Sequence, residues 1–138
     1  MESSSQMWGS PDAAMERVNA QIVEAQERAA RATQVRQEMD ALRATAKSPK
    51  GEVEAEADTS GRLVGLNLSS DALELDERAL ARLIVITAQL AAARAGEQAL
   101  EIAATAFGEE SAITTRFRDE IAERNAASGS ADSDLRYL

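Results

Sequence analysis

The sequence predicts an α+β fold: an α-β-β-β-α protomer with a three-stranded antiparallel sheet, a long N-terminal helical arm and an accessory C-terminal helix. Three observations predict it. Near the N-terminus, Met15, Val18, Ile22, Ala25, Ala29 and Ala32 recur with a 3.5-residue period, the spacing of a coiled-coil-like seam. Between residues 43 and 69 the period drops to two, broken by turn residues. From Asp76 onward a helical period returns and persists to Phe107.

Residues 1–11 are rich in Ser, Gly and Pro and read as a disordered tail. Pro11 suits the first helical position and Asp12 favours the first turn, so a helix opens there and runs to about Ala41. Arg36 interrupts the seam, where the heptad frays. Glu24 with Arg28, and Glu27 with Arg31, are i,i+4 pairs of favourable polarity, each worth about 0.3–0.5 kcal/mol to a helix.

A weakly alternating segment at Arg43–Ala46 precedes turn chemistry at Ser48–Gly51, and Glu52–Asp58 then alternates strictly between acidic and apolar. Thr59-Ser60-Gly61 makes a tight connection to Arg62–Leu68, in which Val64, Leu66 and Leu68 share one face. Asp76 is the expected N-cap of the second long helix, and Leu80, Leu83, Ile84, Thr87, Leu90 and Ala91 form the stripe expected to cover the sheet. Gly108 is a natural stop, and Ile113, Phe117 and Ile121, spaced by four, predict the accessory helix. The organisation is therefore a tail over 1–11, a domain over 12–107, an accessory amphipathic helix over 108–124 and a disordered tail over 125–138.

Composition excludes most chemistries. The 138 residues contain no histidine and no cysteine, which removes the usual general base, thiolate nucleophiles and the commonest transition-metal ligands. No serine has a base partner and no glycine-rich phosphate loop precedes a helix, so the sequence reads as no enzyme, with no cofactor, no metal and no small-molecule substrate. No uninterrupted apolar run of about 18 residues is present and no signal sequence opens the chain, so the reading is cytoplasmic, without a membrane partner. Of the residues 29 are alanine and four aromatic, which predicts a thin core that a second copy would help to bury.

Fifteen basic residues against 24 acidic ones give a net charge of −9, unfavourable for polyanions unless arginines cluster. Glu52, Glu54, Glu56 and Asp58 fall on one strand face and read as a solvated, edge-protecting surface that repels DNA. Arg17, Arg28, Arg31, Arg36 and Arg43 lie along or just after the first helix, and Arg78 and Arg82 near the start of the second; these seven are the candidate phosphate contacts. Met15, Val18, Ile22, Ala25, Ala29 and Ala32 are the candidate arm-packing residues. Trp8 and Tyr137 fall in the two tails, without the rigid aromatic platform that base stacking needs.

The run Ala44-Thr45-Ala46-Lys47-Ser48-Pro49-Lys50-Gly51-Glu52-Val53, followed by Gly61-Arg62-Leu63-Val64-Gly65-Leu66-Asn67-Leu68, by Leu80-Ala81-Arg82-Leu83-Ile84 and by Ala91-Ala92-Ala93, resembles the YbaB/EbfC family of nucleoid-associated proteins, particularly its divergent actinobacterial members. The likeness spans roughly residues 12 to 105. It implies a homodimer with a joined sheet and projecting first helices, a tweezer that embraces DNA without sequence preference, located in the cytoplasm on the nucleoid. The acidic balance and the C-terminal extension support a second reading. In it the chain is a protein-interaction or scaffold module that does not bind DNA, like family members linked to type VII secretion.

Overall fold

A computed structural model of the chain describes residues 10–135, with side chains described through residue 127. Helix α1 spans Pro11–Ala41, strand β1 Ala44–Lys47, β2 Val53–Ala57 and β3 Leu63–Leu68. A 3-10 turn at Ser70–Glu74 leads to helix α2 over Glu77–Phe107 and helix α3 over Ala112–Leu135. The order is α-β-β-β-α-α, the mixed α+β arrangement that the two periods predict. The chain divides into two compact units after Arg36, the first formed by the greater part of α1, the second by everything from Gln37 onward.

In the second unit the sheet is antiparallel throughout, in the order β1-β2-β3. Ala46 pairs with Ala55 and Lys47 with Glu54; on the other side Glu54 pairs with Asn67 and Ala55 with Leu66. A bulge at Glu56/Ala57 shifts the register beside Val64. Gly51 and Gly61 close the two turns at φ 77° and 84°, where a side chain would be strained.

The core is alanine on alanine. Ala44, Ala46, Ala55 and Ala57 point from β1 and β2 toward Ala91, Ala95 and Ala99 of α2, with Leu42 closing one end. The expected covering stripe holds at Thr87 and Ala91, continues through the small residues Ala95 and Ala99, and fails at Leu90. Thr87, Ala91, Ala95 and Ala99 face the sheet, whereas Leu80, Leu83 and Ile84 are half-buried and Leu90 is exposed. The reason is steric: alanines on the strands leave a shallow surface that only small helix residues can approach closely. By length and composition α2 is also apolar enough to cross a bilayer, with a best window of mean hydropathy 1.3; here its small-residue face packs on the sheet, as in a core helix.

Asp76 caps α2 as expected, its Oδ1 accepting from Ala79 N at 2.8 Å, and Gly108 ends it at φ 93°. Helix α3 packs on α2 through Phe117 and Ile121 of the predicted four-spaced stripe, joined by Thr114 and Arg124, while Ile113 is 53% exposed. Thr114 is wholly buried because its hydroxyl accepts from Ser111 Oγ at 2.8 Å and donates to the Gly108 carbonyl at 2.7 Å, satisfying a polar group in the helix junction. Helix α3 also continues past residue 124 into the segment expected to be disordered; Ala126, Ala127 and Ala131 favour helix there and no proline interrupts it. The 1–9 part of the N-terminal tail, Trp8 included, and Tyr137 lie outside the described residues.

A Cβ built on Gly96 of α2 would meet Arg124 Nη2 at 3.0 Å and Ile121 Cγ2 at 3.2 Å. Gly96→Leu is therefore expected to push α3 off α2, seen as accelerated hydrogen exchange across 112–127 with the β2 amides still protected.

Candidate nucleic-acid interface

Every residue of α1 is at least partly accessible, and most are fully exposed. At 3.6 residues per turn, Arg17, Arg28 and Arg31 fall within a sector of about 60° on one face, with Glu24 inside the same sector. The apolar seam occupies a neighbouring face, where Met15, Val18 and Ile22 are 65%, 53% and 49% exposed and Ala25, Ala29 and Ala32 are open to solvent too. Arg36 sits on that seam. Glu24–Arg28 and Glu27–Arg31 do not close into ion pairs, in contrast to Lys47–Glu54 at 3.6 Å and Arg62–Asp58 at 3.5 Å. The α1 guanidinium groups consequently stand in water, each with its fork of donors available to a phosphate oxygen.

The remaining predicted contacts divide by local chemistry. Arg43 follows the end of α1, and its Nη1 donates to the carbonyls of Leu42 (2.7 Å) and Asp40 (3.1 Å), so it satisfies helix-terminal acceptors. Arg78 and Arg82 are exposed in the first turns of α2, four residues apart on one face.

The acidic strand is corrected. β2 is central rather than an edge, and its carboxylates are half-buried with individual tasks. Glu54 meets Lys47, and Glu52 Oε1 accepts from Ser48 Oγ at 3.3 Å. Glu56 folds over Gly65, where an added Cβ would meet Glu56 Oε2 at 3.2 Å. Asp58 organises the β2–β3 turn: its Oδ1 accepts from Ser60 Oγ (2.6 Å), Ser60 N (3.0 Å) and Arg62 N (3.0 Å). The Ser60 hydroxyl, aided by the Arg62 amide and guanidinium, holds the Asp58 carboxyl below its usual range. A depressed folded-state pKa means that this contribution is complete above the unfolded value and disappears as pH falls through the folded one. Urea unfolding should show Asp58→Asn less stable than the parent at pH 7, with the gap closing below about pH 4.

Two features escape sequence reasoning. The edge strand β3 leaves Leu63, Val64, Leu66 and Leu68 exposed, and Ile86 and Leu90 of α2 are exposed as well. The apolar alternation of β3 was legible, its lack of cover was not, because α2 lies over β1 and β2. Arg124 and Arg94 likewise make contacts that no local pattern signals. Arg124 Nη1 donates to the Thr59 carbonyl at 3.1 Å while its Nε and Nη2 are buried without partners, and Arg94 Nη1 donates to the Thr45 carbonyl at 3.0 Å.

Among the described residues no group of three or more Asp or Glu side chains is placed to hold a metal ion. A charged helix without a buried residue and a sheet with one bare apolar edge are features of a binding protein rather than of a catalytic pocket. The chain belongs to the YbaB/EbfC DNA-binding family, whose profile matches residues 14–110. This is a family of nucleoid-associated DNA-binding proteins and not an enzyme family. No curated protein matches the chain. The match ends in the turn before α3, so Arg124 and its helix lie outside it.

Proposed function

We propose that the protein is a sequence-tolerant, nucleoid-associated DNA-binding protein that works as a homodimer in the cytoplasm. The observation that carries this reading is the family match over a helix whose Arg17, Arg28 and Arg31 are exposed and unpaired on one face. Guanidinium groups so placed neutralise phosphates and read no base edges. Arg36, Arg43, Arg78 and Arg82 are secondary contacts, Arg43 through the nitrogens left over from its capping role.

The homodimer reading is supported by β3. Among the described residues its outward backbone groups have no partner strand, and Leu63, Val64, Leu66 and Leu68 along it are exposed. An unpaired strand edge flanked by such residues recruits another strand, and a second copy supplies the same edge in a self-complementary contact. The α1 seam, Met15 to Ala32, offers a further packing surface to a second arm.

The test is a salt titration of binding to two unrelated duplexes. Log affinity should fall linearly with log salt, with equal slopes for both sequences. A second reading, a protein-interaction module that leaves DNA alone, draws on the net charge of −9 and on Glu24 inside the arginine sector. It takes over should neither duplex bind at low salt.

A further inference from the structure

The sheet has two edges, and they are finished differently. The bond from Ser48 N to the Val53 carbonyl (2.9 Å) sets the phase of the β1–β2 ladder. In an antiparallel pair, bonded and non-bonded residues alternate. Ala46 and Ala44 therefore bond inward to β2, while the backbone groups of Thr45 and Lys47 point to the open edge. At that edge Arg94 Nη1 reaches the Thr45 carbonyl at 3.0 Å, across 49 residues of sequence. Its backbone is fixed, because Ala91 and Ala95 on either side of it are fully buried against the sheet. Among the described residues the β3 edge has no such guard: by the same alternation Leu66 and Leu68 turn their backbone groups outward, with side chains 39% and 41% exposed.

We propose that Arg94 seals the β1 edge against strand addition by a second copy of this chain, so that assembly of the sheet stops at two. The inference rests on the β3-paired homodimer proposed above. In that dimer the strand order is β1-β2-β3-β3-β2-β1, and both outer edges are β1. Were they open, dimers would add to one another through a second twofold contact, and two different twofold contacts in alternation generate an unending row. Arg94 occupies the acceptor that an incoming strand needs and sets a cation where that strand would lie.

The test compares masses by light scattering over a concentration series of the full chain. The parent should hold a dimer's mass, Arg94→Ala should rise with concentration to at least twice that mass, and Arg118→Ala, which loses the same charge at an exposed site on α3, should stay dimeric. Leu66→Lys alone should be a monomer, and adding Arg94→Ala to it should restore a dimer, now through β1. Arg94→Met, which keeps the aliphatic stem and loses the donors, repeats the comparison should the alanine variant lose its helical circular dichroism. If Arg94→Ala and Arg94→Met remain dimeric and the double variant remains monomeric, the seal is disproved while β3 pairing stands. A monomeric parent, or a dimeric Leu66→Lys, overturns β3 pairing and the seal with it.

Discussion

Leu66→Lys is expected to convert the dimer to a monomer. Leu66 pairs with Ala55 on one side and turns its backbone outward on the other, with its side chain exposed on the same strand as exposed Leu68. A twofold contact removes two leucines at once, and burying the 39% of each that is exposed contributes about 0.6–1.2 kcal/mol. Two ammonium groups brought to the same seam add repulsion and desolvation, the device by which natural sheets keep edges apart. The dissociation constant should rise by at least about 100-fold, equivalent to about 2.8 kcal/mol, read as a halved mass in sedimentation equilibrium. An unchanged mass would place the dimer contact elsewhere.

The second large effect concerns DNA. Replacing Arg17, Arg28 and Arg31 together with alanine should lower the slope of log affinity against log salt by up to about 3 per protomer. At roughly 0.15 M salt that corresponds to an affinity loss of about 100-fold for one protomer's contacts, the same for unrelated sequences. The dimer should survive, because these side chains lie on a different face from Met15, Val18 and Ile22 and far in sequence from β3. Charge reversal at Glu24 works in the opposite direction: Glu24→Arg should tighten binding and steepen the slope, since this carboxylate lies within the arginine sector. Unaltered affinity and slope in the triple variant would remove α1 from the DNA contact.

Legibility of the fold followed the range of the interactions. Helix α1, both turn glycines, the Asp76 cap and the Gly108 stop are local events, and each is readable within a few residues. How far the α2 contact runs depends on residues some 40 positions away: with alanine at 44, 46, 55 and 57, the predicted stripe holds at Thr87 and Ala91 and is extended by Ala95 and Ala99, while Leu90 turns to solvent. The edge status of a strand is likewise a property of the sheet, which is why the acidic β2 reads as an edge and proves central. In α3 the period of four found Phe117 and Ile121 but also Ile113, which is exposed, and it gave no sign of the buried hydroxyl of Thr114 or of Arg124. The candidate arginines of α1 were visible as a set; that their i,i+4 partners stay apart was not, because exposed pairs of this kind are balanced against side-chain entropy.

The contact between Arg124 and the Thr59 carbonyl joins residues 65 positions apart, and Thr59 Oγ1 in turn donates to the Met39 carbonyl at 3.4 Å, in the last turn of α1. Synthesis runs from the N-terminus, so Met39, Thr59 and Gly61 leave the ribosome and pair while Arg124 has yet to be made. Until then the Thr59 carbonyl at the hairpin tip lacks its Arg124 donor. The Arg124–Thr59 contact, which closes 65 residues of chain, is then the last of these hairpin-tip contacts to form.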